Sequence, residues 1–297
     1  LIHKYYDYPS KKLSVIGVTG TNGKSSVTSF VHQALISLGK KSKLQGTLSS
    51  NLTTPESLDT IKSMSSHLQA GGDYFVMEVS SHGIHQNRIS GITFDVKCLT
   101  NISQDHLDYH KTLDAYQKIK YKFMDEFAGE SIFPNDFKSL EFIQNSYVLG
   151  GFNQENLKAS LKILLKLGFS KDESVKALSN VHPPEGRFEI IPLSSHDYIF
   201  VDYAHSPDGL KVVCKEALNI AKQSNGKLYV CFGCGGDRDR TKRKLMAKEV
   251  CSVADFIMIT QDNPRHEDPV QIIQDILEGI SADAVYEVEN DRKCAIE

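Results

Sequence analysis

The stretch Gly17-Val-Thr-Gly-Thr-Asn-Gly-Lys-Ser25 has the residue types and spacing to hold a phosphorylated nucleotide. Glycines let the backbone wrap an anion, and unpaired N–H groups at a helix start point toward it. Lys24 adds a point charge, and the Ser25 hydroxyl can sit on Mg²⁺. The standard phosphate loop needs a small residue six positions before its lysine. Here that position is Val18, with Gly17 and Gly20 as the nearest glycines. A glycine-rich turn without a ligand is the competing reading.

Further chemistry lies along the chain. Glu78 sits at the end of an apolar run, where an unpaired carboxylate is costly. A Mg²⁺ beside the phosphate loop would relieve that cost, and so would backbone hydrogen bonds. Ser80, His82, Gln86 and Arg88 then line a loop on the same side. Asp105, His106, Asp108 and His110 crowd together as metal ligands or as a capping network. In Asn51-Leu-Thr-Thr-Pro-Glu56, Thr54 can cap a helix ahead of Pro55, which leaves the other threonine free to bind. Tyr116, Lys118, Lys120 and Lys122 follow on a helical pattern, and pattern alone singles out none of these lysines. Asp202, at a strand end, suits a ribose hydroxyl. The glycines, carboxylates and arginines of 233–243 suit an anion or zwitterion, and Arg265 can pair bidentately with a carboxylate. Surface turns with satisfied charges would also explain these last two loops.

These residues need elements to position them. Apolar runs at 13–18, 74–79, 96–100, 198–202, 227–232 and 255–260 each read as a strand, the last five as strands buried on both faces. Helical patterns over 112–127, 154–167, 207–222 and 241–253 fall between them. This alternation predicts an α/β fold with parallel sheets flanked by helices and functional loops at the carboxyl ends of strands. Pro183-Pro184-Glu185-Gly186-Arg187 suits a hinge. It would separate a central P-loop-like ATPase domain with a parallel sheet, 1–185, from a Rossmann-like α/β domain, 186–297. Residues 129–150 show no period and are expected to form a shortened sheet extension.

The whole chain sets the bounds. Its 297 residues are 40% hydrophobic and 24% charged, as in ordinary globular proteins of about two domains. A net charge of −3 gives no general electrostatic reason to bind nucleic acid. No apolar run is long enough to cross a bilayer, and the first residues carry no apolar signal core. Of six cysteines, only Cys231 and Cys234 form a C-x-x-C pair, and no second pair completes a zinc site. Structural thiols in a reducing cytoplasm are expected, with redox or metal roles as the alternative. The chain starts at Leu1 and stops at Glu297 within a helical pattern, so both ends are expected to be cut.

Taken in order, the motifs resemble the Mur ligase family over nearly the whole chain. The phosphate loop has that family's glycine spacing, which accounts for Val18. Met77-Glu-Val-Ser-Ser-His-Gly83, Asp105-His-Leu-Asp-Tyr-His110, Val201-Asp-Tyr-Ala-His205, Phe232-Gly-Cys-Gly-Gly-Asp-Arg-Asp239 and Asp262-Asn-Pro-Arg265 follow. The resemblance implies a cytoplasmic, ATP- and Mg²⁺-dependent amide ligase of peptidoglycan precursor synthesis. It would add meso-diaminopimelate to UDP-N-acetylmuramoyl-L-alanyl-D-glutamate through an acyl phosphate. A monomer without nucleic-acid partners or membrane insertion is expected.

The resemblance also implies roles. Gly20, Thr21, Asn22, Gly23, Lys24, Ser25 and Ser26 would hold ATP, with Lys24 on the β/γ-phosphates. Ser25 and Glu78 would hold one Mg²⁺ and His106 a second. The Tyr-x-x-x-Lys spacing from Tyr116 makes Lys120 the family's carbamylated lysine. Asn153 and Asn156 would lie near adenine, Arg187 near the phosphates, and Asp202 and His205 near ribose, with Arg187 and Asp202 arriving from the second domain. Thr53, Thr54, Ser80, Gln86 and Arg88 would hold the muramoyl dipeptide, and Arg238, Asn263 and Arg265 the diaminopimelate. Ser25-Ser26 replaces the Thr-Thr of many relatives. The family's N-terminal uridine-gripping domain and its C-terminal Lys-Gly-His-Glu stretch are missing, which predicts ATP binding with poor turnover. A lysine-adding ligase, a folylpolyglutamate synthetase and an ATP-binding module without catalysis are the alternatives. The first should lack an Arg at 265, and the second the Asp-Asn-Pro-Arg motif.

Overall fold

The computed structural model describes residues 1–103, 105–193 and 197–297, and only the backbone of Leu107, Asp108 and Pro192. The side chain of Asp108 therefore lies outside the described residues. Two compact units emerge, Leu1–Ile190 and Ile191–Glu297.

In the first unit, β1 (Ser14–Thr19), β2 (Ser42–Gln45), β3 (Tyr74–Glu78), β4 (Val96–Leu99) and β5 (Glu130–Ile132) form one parallel sheet in the order β2-β3-β1-β4-β5. Parallel strands require crossovers, and helices supply them. α2 (Lys24–Ser37), α3 (Ser57–Gln69), α4 (Ser81–His85), and α5 (Leu107–His110) with α6 (Leu113–Glu126) lie between successive strands, while α1 (Ile2–Tyr5) precedes β1 and α7 (Asn135–Lys138), α8 (Gly151–Lys166) and α9 (Lys171–Leu178) follow β5. Both sheet faces are covered. Ile16 and Val18 of β1 pack with Val27, Phe30, Val31 and Leu35 of α2 and with Leu157 and Leu161 of α8. Val15 and its neighbours Phe75 and Met77 pack on the other face with Ile61 and Met64 of α3 and Phe123 of α6. A Cβ at Gly17 would stand 2.7 Å from Phe94 and 2.8 Å from Phe123, so this strand position must stay bare for α6 to dock.

The strand order places the site. The chain leaves β1 for strands on one side and later crosses to β4 on the other, so the carboxyl end of β1 is a topological switch point, where α/β sheets bind ligands. Val18 lies opposite Glu78, and Thr19 opposite Leu99. Three neighbouring strands thus deliver the phosphate loop, Glu78 and Thr100 to one sheet edge.

The strand β6 (Arg187–Pro192) leads into the second unit. There follow β7 (Tyr198–Asp202), α10 (Pro207–Gln223), β8 (Tyr229–Phe232), α11 (Thr241–Cys251), β9 (Phe256–Ile259), α12 (Pro269–Leu277), β10 (Tyr286–Val288) and α13 (Arg292–Ile296). β8, β9 and β10 form a parallel sheet in the order β10-β9-β8.

The α/β fold holds as expected, with local corrections. β7 and β8 are not buried on both faces, because Tyr198, Ile199, Val201 and Tyr229 are exposed. β8 is a sheet edge, and β7 belongs to a two-stranded sheet. Within 129–150, β5 does extend the first sheet, and α7 follows it. Thr54 caps no helix: α3 begins at Ser57 with Glu56 in the N-cap place. α8 starts at Gly151, ahead of the expected 154–167, so Asn153 lies inside it as well as Asn156. The first compact unit runs to Ile190, so it includes Arg187.

Candidate functional site

The phosphate loop bridges β1 and α2. Gly23 occupies the N-cap place of α2 in a left-handed conformation, φ 85°, with no side chain capping the first turn. Its free N–H groups face the loop, as an anion site requires. Ser25 and Ser26 are buried in that turn. Lys24 is folded over the loop, and its Nζ donates to Gly20 O at 2.8 Å and Thr21 O at 2.7 Å. Burial lowers its pKa, against the attraction of Glu78 and Asp105; Arg187 lowers it further. Arg187 is therefore close enough for Lys24 to feel its charge.

A second lysine meets the same carbonyl. The Lys120 Nζ donates to Gly20 O at 2.8 Å and to Thr19 Oγ1 at 3.4 Å, and it sits 4.7 Å from the centre of the Tyr116 ring. Only 1% of Lys120 is exposed. Burial holds its pKa well below 10.5, Lys24 adds to the shift, and Asp105 opposes it. A lysine kept short of its proton offers a nucleophilic amine, the form that can take up CO₂.

Glu78, 2% exposed, ends β3 beside the loop. It accepts from Ser25 Oγ at 3.0 Å, from Thr47 N at 2.8 Å and from Thr47 Oγ1 at 3.5 Å. All three donors are neutral. A hydroxyl and a buried carboxylate side by side suit a hard cation, and Mg²⁺ takes few protein ligands and completes its shell with phosphates and water. Among the described residues, no group of three or more His, Cys, Asp or Glu side chains is placed to hold a metal by itself. His106, in a left-handed conformation at φ 53°, lies 3.4 Å from Asp105 and packs 5.0 Å from the His82 ring. His110 joins the same ring cluster, and its buried Nε2 has no partner. Burial, then His82, His106 and His85, lower its pKa to about 4, so it stays neutral.

The segment after β4 holds the loop in place, a role that strand periodicity does not reveal. Asn101 accepts from Asn22 N at 3.0 Å and donates to Asn22 O at 3.1 Å. Thr100 Oγ1 donates to Asn22 O at 2.6 Å, and Thr21 N donates to Asn101 O at 2.9 Å. Thr21 Oγ1 also meets Tyr116 OH at 3.1 Å. A Cβ at Gly20 would stand 1.9 Å from Thr100 Oγ1, and one at Gly23 would stand 2.4 Å from Asn156 Oδ1. Asn156 thus touches the loop, and it donates to Asn153 Oδ1 at 3.1 Å.

Thr54 is 1% exposed; its Oγ1 donates to Glu78 O at 3.0 Å and accepts from Ser80 N at 2.9 Å. The expected cap is thus a bridge between two segments. Thr53 Oγ1 meets Thr47 Oγ1 at 3.0 Å. Arg88 donates to Thr54 O at 2.9 Å and pairs with Glu56 at 3.0 Å. Ser80 caps α4, and the exposed Gln86 donates to Tyr109 OH at 3.2 Å. These residues form one continuous rim beside Glu78.

In the second unit, Asp202 accepts from Ala204 N at 2.8 Å, and His205 Nδ1 meets Tyr203 O at 3.0 Å. The loops after β8 and β9 meet each other. Gly236 N donates to Asn263 O at 2.9 Å, Arg265 donates to Gly236 O, and a Cβ at Gly236 would stand 1.8 Å from Pro264 O. Arg238, Asn263 and Arg265 are all exposed on this paired-loop surface. The six cysteines are free thiols. Cys234 contacts Met246 at 3.7 Å, and burial pushes its pKa up to about 12, which suits a structural thiol.

Comparison with known proteins follows the same division. Residues 18–190 match the Mur ligase middle domain, and residues 186–297 the Mur ligase glutamate ligase domain. A UDP-N-acetylmuramoyl-L-alanyl-D-glutamate–2,6-diaminopimelate ligase of Fusobacterium nucleatum is 34% identical over 98% of this chain and 70% of that protein. A solved structure of a ligase with that name superposes with TM-score 0.63 at 27% identity, over 98% of this chain and 72% of the other. Folylpolyglutamate synthase of Mycobacterium tuberculosis, solved with ADP and AMPPCP, superposes with TM-score 0.76 at 16% identity, over 99% and 85%. That last likeness is one of fold alone.

Proposed function

The chain belongs to the Mur ligase family, and from that membership we propose that it joins meso-diaminopimelate to UDP-N-acetylmuramoyl-L-alanyl-D-glutamate in peptidoglycan precursor synthesis. It is an ATP-dependent acid–amino-acid ligase. In our reading the γ-phosphoryl group of ATP passes to a substrate carboxylate, giving an acyl phosphate and ADP. The amine then attacks the acyl carbon, and phosphate leaves as the amide forms. Negative charge builds on the transferring phosphoryl and on the tetrahedral carbon, so fixed positive groups do most of the catalysis.

One observation carries this reading: Lys24 and Lys120 converge on Gly20 O beside the Ser25–Glu78 pair. Lys24 would turn from the loop carbonyls to the β/γ-phosphates. Ser25 and Glu78 would hold Mg²⁺, which neutralises phosphate charge when bound, and His106 would serve a second ion. Lys120 is proposed to react with CO₂; its amine nitrogen bonds the carbon, loses a proton and becomes an anionic carbamate that supports the metal site. Asn153, Asn156, Arg187, Asp202 and His205 are proposed around the nucleotide. Thr53, Ser80, Gln86 and Arg88 are proposed for the dipeptide, with Thr54 fixing their backbone. Arg238, Asn263 and Arg265 are proposed for the acceptor, whose distal carboxylate an arginine can pair with. On this reading 1–185 is the ATP-binding domain and 186–297 the acceptor domain. We place the enzyme in the cytoplasm as a monomer; no helix among the described residues is long and apolar enough to cross a membrane.

The test is ADP release with the muramoyl dipeptide and either meso-diaminopimelate or lysine. Faster release with diaminopimelate is expected. A preference for lysine would overturn the acceptor assignment, and glutamate-driven release on a folate substrate would overturn the ligase type.

A further inference from the structure

Arg243, on α11, is 1% exposed and carries a charge that the proposed chemistry does not use. Its guanidinium reaches three segments. Nη2 donates to Glu267 Oε1 at 2.8 Å and to Gly235 O at 3.3 Å, and Nη1 donates to Asp275 Oδ2 at 2.8 Å. Glu267 lies just past the Asp-Asn-Pro-Arg stretch, Gly235 lies in the glycine loop after β8, and Asp275 lies on α12. Glu267 Oε1 also accepts from Asp237 N at 2.5 Å. Hydrogen bonding from Arg243 keeps Glu267 below the usual carboxylate range, and Arg240, then Arg243, do the same for Asp275.

A buried charge held by two carboxylates is an expensive way to join two helices, since an apolar pair can do that as well. What an apolar pair cannot do is hold two loops at once in one register. The planar fork can, because its donors point in fixed directions. The loops need it: Asp237 and Arg265 both adopt left-handed conformations, φ 52° and 51°, and the two loops touch where Gly236 packs against Pro264. Arg238 and Arg265 are one residue from Asp237 and two from Glu267, respectively.

We infer that Arg243, with Glu267, is a positioning residue that sets the spacing of the two acceptor-recognition loops and so determines acceptor selectivity. The inference rests on the acceptor role proposed above for Arg238, Asn263 and Arg265. Arg243 itself touches no substrate.

Steady-state kinetics on the whole protein test it, with Arg243→Lys and Glu267→Gln as variants. Lysine keeps the charge but cannot span Glu267, Gly235 and Asp275. The KM for meso-diaminopimelate should rise by roughly tenfold to a hundredfold, as expected when a recognition group shifts by about 1 Å. The KM values for ATP and the dipeptide should stay within roughly twofold, and the diaminopimelate-to-lysine ratio of kcat/KM should fall. An unchanged acceptor KM in a variant that melts like wild type would overturn the inference alone. A parallel rise of all three KM values would also overturn it, since that is what a merely structural role gives. If Arg243→Lys fails to fold, Glu267→Gln decides by the same criteria. Wild-type protein that releases no ADP with any amine acceptor would overturn the ligase reading and this inference with it.

Discussion

Replacing Gly46 with alanine tests the geometry around Glu78 without replacing any proposed ligand. Gly46 is buried and its φ lies outside the left-handed region, so alanine brings no backbone strain and only contact matters. The new Cβ would stand 2.3 Å from Glu78 Oε1, 2.7 Å from its Cγ and 2.8 Å from its Cδ, against an ordinary contact of 3.4–4 Å. The carboxylate must therefore move by about 1 Å or more, because close-packed interiors relax only partly. Its bonds to Ser25 Oγ and Thr47 N, at 3.0 and 2.8 Å, lengthen or break. Overpacking of this kind costs about 1–3 kcal/mol. Urea unfolding should show a loss in that range with an unchanged slope. The kinetic effect should exceed the stability effect: if Glu78 holds Mg²⁺ as proposed, a 1 Å displacement of its carboxylate costs roughly a hundredfold in rate. ADP release across a Mg²⁺ titration should show a lower kcat and a higher Mg²⁺ requirement. A folded Gly46→Ala protein with wild-type rate and wild-type Mg²⁺ response would refute the role given to the Ser25–Glu78 pair.

Lys120→Ala should lower turnover by roughly a hundredfold, and short carboxylates should restore part of it by replacing the carbamate; an active variant would refute the carbamate. In CO₂-free buffer the unfolded chain keeps the Lys120 proton between the depressed native pKa and 10.5. Unfolding free energy should therefore rise with pH across that window, and Lys120→Met should flatten the rise. Equal slopes for the two proteins by urea unfolding, from about pH 7 to about pH 10, would contradict the buried titrating amine. Asn101→Ala removes both amide bonds to Asn22 and should raise the KM for ATP by roughly tenfold, with the acceptor KM unchanged as the control; an unaltered ATP KM would show that the loop holds itself.

The parallel sheet of the first unit was readable because strands buried on both faces leave continuous apolar runs. The phosphate loop was readable because its glycines and lysine are adjacent in the chain. Of the two readings open for Thr54, capping fails, since its partners Glu78 and Ser80 lie on another strand end. Asn101 was not singled out, because a strand-end Asn has many uses and its partner Asn22 belongs to a different loop. Buried Arg243 was not set apart from the other arginines of 233–243, because its carboxylates come from two other segments. β7 and β8 were expected to be covered, since apolar runs report strand propensity but not how many neighbours a strand finds. Local signals therefore place elements, while the contacts between loops depend on strand order.

If these loops recognise the acceptor as proposed, the contact between Gly236 and Pro264 also bears on how acceptor choice can change over generations. With 1.8 Å between the missing Cβ and the Pro264 carbonyl, each loop is the mould of the other. A crossover that imports one loop from a relative with a different acceptor brings half of a matched pair. On the proposed acceptor role, 233–243 and 260–268 would have to be exchanged together, and a protein carrying one foreign loop should bind its acceptor less well than either parent.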